Sequence, residues 1–236
     1  QLHRVYEPML NAQGIEMVEM QTNMQRFRLA AMGRGKLHLT FGLPLAAAAL
    51  VMENMFARFY IPASYHYGDL VPDGSHPMMD HLLSTETMQF IHDGASATRV
   101  AKTIAIAGWP ETHSRLRVCF QGAQYNDARG VFENCGTCEK CLRTMIPLEI
   151  AGVLSDFSTF SGGLNLKNIK TIRFMSSASR TFAIENLVFA RQRRRWDLVA
   201  TLTYVVLRGK VLATFLQPLY RILPRGAREW IKGRFA

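Results

Sequence analysis

Residues 134–143 read NCGTCEKCLR, which sets Cys135, Cys138 and Cys141 at CxxCxxC spacing. The chain has four cysteines in all, and the remaining one, Cys119, lies in LRVCF. Four thiolates with none left over are the donor set of a closed tetrahedral Zn²⁺ site. The spacing lets the backbone wrap a single ion, and Gly136 supplies the freedom such a knuckle requires. Two rival readings are a disulfide framework and scattered core thiols. Disulfides between CxxC neighbours are mostly redox-active and belong to a thioredoxin-like context, which this sequence does not display. The expectation is a structural zinc bound by Cys119, Cys135, Cys138 and Cys141. Cys119 then arrives from the end of a strand, SRLRVCF, and the knuckle opens a helix through CLRTMIPLEIAG.

Working outward, 236 residues at 48% hydrophobic can bury a sizeable core as one domain with an appendage. The thiol usage and the lack of a charged-then-apolar leader imply a reduced, cytoplasmic setting. The first residue is Gln1 rather than Met, which suggests a fragment whose natural start lies upstream. The net charge of +10 is uneven: from Arg191 onward eleven basic residues face only Asp197 and Glu229, so the preceding residues are near neutral. A basic tail, rather than a basic protein, has to be explained.

Periodicity supplies the elements. IEMVEM (15–20) alternates and predicts a strand leading into Thr22 and Asn23. GLPLAAAALVMENM (42–55) predicts a buried helix with Pro44 tolerated in its first turn, too short to span a membrane. ARFYIPAS (57–64) predicts a central strand ending at Pro62, and a Tyr-, His-, Asp- and Gly-rich loop follows from Ser64 to Pro77. A second helix is expected from Pro77 to about Phe90, with IHDGAS as a turn and ATRVAKTIAIAGW as a third helix ended by Gly108 and Pro110. The segment 121–134 is expected to be a polar loop. Strand and helix in alternation argue for a parallel sheet covered by helices.

The order of these segments resembles the PP-loop ATP pyrophosphatases, most nearly the cyano-deazaguanine synthases of queuosine biosynthesis. The resemblance is carried by TNMQRF (22–27), the Ala-rich helix and ARFYIPASYHYGD, GSHPMMD (74–80), RVAKTIAIAG (99–108), LRVCF and NCGTCEKCLR, and it covers about Gly14 to Gly152. It implies an α/β fold with a Rossmann-like parallel sheet, helices on both faces, a four-cysteine zinc knuckle at 119–141 and a helical C-terminal extension. The domains implied are 1–152, a PP-loop ATPase-like α/β unit, and 153–236, a helical basic region. Such enzymes form an adenylate on a carboxylate or amide oxygen with release of pyrophosphate, and ammonia or another nucleophile then displaces AMP. ATP and Mg²⁺ are therefore implied co-substrates and the zinc is structural.

Thr22 and Asn23 resemble the family's RN-x-x-F segment, without its Arg and with a one-residue shift. Asp69 resembles its Asp-containing loop and implies a contact to Mg²⁺ or ribose, although Tyr-Gly-Asp is also ordinary turn chemistry. Lys102 resembles a Lys at the head of a late helix and implies a phosphate contact; a solvated lysine on an amphipathic helix is the alternative. The family's SGGxDS loop, whose backbone N–H groups hold pyrophosphate, has no counterpart before Thr22. The resemblance puts it upstream of this chain, so that the 236 residues alone would neither exchange pyrophosphate into ATP nor release AMP. Ser161-Gly162-Gly163-Leu164-Asn165 matches only superficially and reads as a loop joining helices.

From the residues themselves, His76, His92 and Asp93 are candidates to touch a small-molecule substrate or to position a nucleophile, since histidine titrates near neutrality. The alternative is that Asp93-Gly94 is a turn and His92 a hydrogen-bonded cap. The tail, 191–234, joins Arg clusters to apolar stretches carrying Trp196, Tyr204 and Tyr220, as in helices that lie on anionic membranes. Such helices also pack on their own domain and leave Arg in water. A second non-enzymatic possibility is contact with nucleic acid through Arg193-Arg194-Arg195, although no recognisable module accompanies it. The partners expected are thus a small-molecule substrate, ATP, a second copy in a homodimer, and an anionic membrane or nucleic acid at the tail. Peripheral contact with the inner membrane surface is the corresponding location.

Overall fold

Strand β1 (Arg58–Pro62) pairs in parallel with β2 (Gln89–Asp93), with Phe59 opposite Phe90 and Ile61 opposite His92. The structure is a computed structural model, and it describes residues 2–33, 38–119, 121–172, 177–211 and 224. The chain divides into two compact units, residues 1–105 and 106–236. The division expected at 152 falls inside the second unit.

The first unit holds α1 (Leu2–Asn11), α2 (Met24–Met32), α3 (Gly42–Leu50), the two parallel strands, and α4 (Arg99–Ala107), whose last two residues pass the boundary. Its core is Ala46 and Ala49 on one side of α3, against Ile61 of β1 and Met88 and Phe90 at β2. Small Ala side chains let the helix lie close to the strands, where Phe59 and Phe90 meet at 5.4 Å. The start of α3 is fixed by backbone. Gly42 N–H donates to Gly74 O at 2.9 Å, and Gly74 N–H to His38 O at 2.8 Å. A Cβ at Gly42 would lie 1.9 Å from Gly74 O, and one at Gly74 would lie 2.4 Å from Phe41 N.

In the second unit a short hairpin, β3 (Gln124–Asn126) with β4 (Val131–Glu133), precedes α5 (Glu139–Ile150). Helices α6 (Leu166–Thr171), α7 (Ser177–Gln192) and α8 (Trp196–Val211) follow, as a helical C-terminal region predicts. Helix α5 is buried on two sides. Leu142 and Ile146, one turn apart, pack with Ile169, Ala190, Leu198, Leu202 and Val205. Cys141, Met145 and Leu148 face Leu154, Phe157 and Phe160. Pro147 sits inside α5 and has no N–H for the carbonyl of Arg143. Buried Asn186 of α7 replaces it, donating from Nδ2 to Arg143 O at 3.3 Å.

Four expectations are corrected. Residues 15–23 form no strand, and Ile15, Val18 and Met20 are exposed. The helix expected over 77–90 is a short 3₁₀ turn (Asp80–Leu83) followed by strand β2. Ser84 Oγ accepts from Phe90 N–H, and Thr85 Oγ1 from Thr87 and Met88 N–H, so side chains of STET compete with helical bonding. Leu116–Cys119 is not part of a strand among the described residues. The polar loop 121–134 contains the β3–β4 hairpin, whose turn is closed by Asn126 Oδ1 accepting from Arg129 N–H at 3.1 Å. The parallel sheet itself has two strands among the described residues, so the structure is a mixed helix and strand fold with a small parallel sheet.

Candidate metal centre and the strand ends

The four cysteines converge. All four Sγ atoms lie within 4.8 Å of one another. Cys138 and Cys141 are 3.4 Å apart, Cys135 and Cys141 3.8 Å, and Cys119 and Cys138 4.0 Å. A disulfide needs about 2.05 Å, and all four are free thiols. A tetrahedron with Zn–S of about 2.3 Å has an edge of about 3.8 Å. The residues therefore fit a tetrahedral metal ion of zinc's size, and the disulfide and scattered-thiol readings do not describe this cluster.

Local sequence builds three of the ligands. Gly136 takes φ +66°, the left-handed turn that brings Cys138 back under Cys135. Cys138 N–H donates to Cys135 Sγ at 3.3 Å, and Cys138 is also the N-cap of α5. Thiolates at a helix N-terminus are favoured by its dipole. The Cys135 thiol feels burial that raises its pKa, but hydrogen bonds from Thr137 and Cys138 outweigh it and bring the value down to about 6. Burial, followed by its hydrogen bond to Cys138, pushes Cys141 the other way.

The fourth ligand is positioned by a residue that the spacing does not announce. Asn134, 2% exposed, accepts at Oδ1 from the N–H groups of both Val118 and Cys119, each at 3.0 Å. Its Nδ2 donates to Leu116 O at 2.8 Å, and its own N–H to Thr159 O at 2.9 Å. One side chain thus ties the Cys119 segment to the start of the knuckle. Its only local signal was its place beside Cys135. Of the Ser161-Gly162-Gly163 segment, Ser161 lines an open cleft with Gln121, Gln124, Glu133, Asn134 and Cys135, which brings no cation to it.

A second cluster of polar residues lies in the first unit, at the C-terminal ends of β1 and β2. Asp80, 1% exposed, is enclosed by donors: Ser75 Oγ at 2.6 Å and His92 Nδ1 at 2.7 Å on Oδ2, and His76 N–H at 3.0 Å on Oδ1. With Nδ1 of His92 held at the carboxylate, Nε2 is the ring nitrogen left for another partner. Lys102 donates from Nζ to Ala63 O at 2.8 Å and lies 3.5 Å from where a Cβ of Gly94 would stand. Asp93 is exposed at the end of β2, and the turn carrying Asp69 is joined to the same end by Tyr67 N–H to Ala95 O at 2.9 Å. His92, Asp93, His76, Lys102 and the Asp69 turn are therefore assembled around one edge. His92 is neither in a turn nor a cap, since it belongs to β2.

Thr22 and Asn23 stand apart. Thr22 Oγ1 accepts from Met24 N–H at 3.2 Å on an exposed stretch, and Asn23 precedes α2 without a capping side-chain bond. The membrane or nucleic-acid expectation for 191–234 lies partly outside the described residues, which end with α8 apart from Pro224. Among the described residues no helix is long and apolar enough to cross a membrane. No family model matches the chain, and no curated protein and no solved structure matches it either.

Proposed function

We propose that the chain belongs to an ATP-dependent adenylate-forming enzyme that activates a carboxylate or amide oxygen of a small molecule for attack by ammonia or another nucleophile. On this reading β1 and β2 are part of a larger Rossmann-like sheet, and the four cysteines hold a structural zinc that fixes the knuckle and takes no part in the reaction. The observation that carries it is the gathering of Lys102, His92, Asp93 and the Asp69 turn at the C-terminal ends of two parallel strands. Ligands of open α/β sheets bind there.

The chemistry follows from the residues. The ammonium of Lys102 offsets phosphate charge. Asp69 and Asp93 are the carboxylates available to Mg²⁺ or a ribose. His92, oriented through Nδ1 by Asp80, takes the proton released when the nucleophile attacks. Thr22 and Asn23 enter only through the family resemblance.

The test is retention of labelled ATP with Mg²⁺ by the zinc-loaded protein; pyrophosphate exchange is not expected of these 236 residues alone, which lack the family's SGGxDS loop. Lys102→Ala is expected to weaken ATP binding by about 10- to 100-fold, the worth of a charge-assisted hydrogen bond. No ATP retention, or retention indifferent to Lys102→Ala, would favour a non-enzymatic zinc-stabilised module.

A further inference from the structure

Helix α8 is apolar on both sides. Its inner side, Leu198, Leu202 and Val205, is in the core. Its outer side carries Trp196, Ala200, Tyr204, Leu207 and Val211, at successive spacings of four, four, three and four residues, all exposed. Trp196 is 61% exposed and Leu207 56%. A surface helix of a globular unit places charged residues on that side. The outward stripe of α8 has none at its own positions. Exposed Asp197 and half-buried Arg208 border it, the latter with its guanidinium 5.5 Å from the Tyr204 ring. Ile184 and Val188 are likewise exposed on α7.

At the α7–α8 turn the apolar stripe meets positive charge. Arg191, Arg193 and Arg194 are exposed and have no carboxylate partner among the described residues, whereas Arg195 is neutralised by Asp197 at 2.9 Å. Arg193 rests over the Phe189 ring at 5.5 Å. The turn is a Schellman motif, with Arg194 N–H to Arg191 O at 3.1 Å and Arg195 N–H to Ala190 O at 3.0 Å. Arg194 occupies its left-handed position at φ 56°, where glycine is the unstrained residue. An arginine is thus kept where it costs stability. Lys170 adds a further cation, lining a hollow with Ala200, Thr201 and Tyr204.

We propose that the α7–α8 face, Trp196, Tyr204, Leu207 and Val211 flanked by Arg191, Arg193 and Arg194, lies on an anionic lipid surface. Tyr and Trp have an apolar body and a polar tip suited to the headgroup boundary, and arginines without carboxylate partners at the border of an apolar stripe complement acidic headgroups. Nucleic acid would want hydrogen-bonding groups where this face has aliphatic carbon. The inference does not depend on the adenylate-forming reading.

The full zinc-loaded chain should sediment with mixed phosphatidylcholine–phosphatidylglycerol vesicles, not with phosphatidylcholine alone, and salt should release it. Removing the arginines together (Arg191→Ala, Arg193→Ala, Arg194→Ala) should weaken partition on the order of a hundredfold, about fivefold for each charge near the surface. Leu207→Asp should weaken it while zinc content and helical circular dichroism stay unchanged. Wild-type partition by the triple variant would assign binding to the basic residues beyond 211 and overturn the proposal. Equal partition on neutral and acidic vesicles, no partition on either, or a dimer that Leu207→Asp splits would also overturn it.

Discussion

The cysteine cluster, open at Cys135, and the Asp80 cluster, closed around a carboxylate 1% exposed, have opposite charge balance. At the first, four sulfur atoms crowd within 4.8 Å, and two of them are driven apart in acidity although they touch. As thiolates they repel one another, so the arrangement is complete only around a cation. At the second, one carboxylate receives three donors, from Ser75, His92 and His76. That arrangement is complete from protein atoms alone. The first cluster is thus one that a metal ion would complete, and the second is complete without one.

Metal removal gives the largest expected contrast. Chelation, or Cys138→Ser, should cost the second unit more than about 4 kcal/mol, because metal-binding free energy is folding free energy. Near-ultraviolet circular dichroism and hydrogen exchange should report loss over α5 to α8, with the amides of β1 and β2 still protected. Elemental analysis should find about one zinc per chain before treatment. Retained protection in α5 after the metal is gone would break the comparison.

Asp80→Ala reverses the test. It leaves three donors without an acceptor and should destabilise the first unit by about 3 kcal/mol, read as a lower urea midpoint with zinc content unchanged. A change within about 0.5 kcal/mol, as for an ordinary surface substitution, would mean that water satisfies these donors and that the cluster is not closed. The smallest effect belongs to an exposed pair. Arg195, through its hydrogen bonds, holds Asp197 below its usual carboxylate range. A depressed folded value contributes stability above the unfolded pKa of 3.8, and that contribution is lost as pH falls through the folded value. The pair is more than a third exposed, so the difference between wild type and Asp197→Asn should be only about 0.5 kcal/mol near neutrality and vanish in acid.

The same contrast explains what could be read in advance. CxxCxxC is a local pattern, and with Cys119 it disclosed all four members of the cluster and the helix that follows them. Asp80 sits next to Pro77-Met78-Met79, where an acidic residue reads as a helix start; its partner His92 is twelve residues away, across a strand that the STET segment concealed. IEMVEM and SRLRVCF have strand alternation, but alternation describes one side of a ladder and cannot supply the other. The N–H groups of Val118 and Cys119 go to the Asn134 side chain instead. Lys102 was singled out only through the family resemblance, and its contact with Ala63 O was not legible, because that bond joins residues 39 apart.

The contact between Gly42 and Gly74 is between two backbones, so no change in a neighbouring side chain can make room for a methyl group at either position. Most core substitutions leave an escape, because a second mutation elsewhere can refill or relieve the site. Here that route is closed. Among descendants of this sequence that keep α3 where it is, both positions should remain glycine through any amount of drift around them, a pair of fixed points by which distant relatives could be aligned.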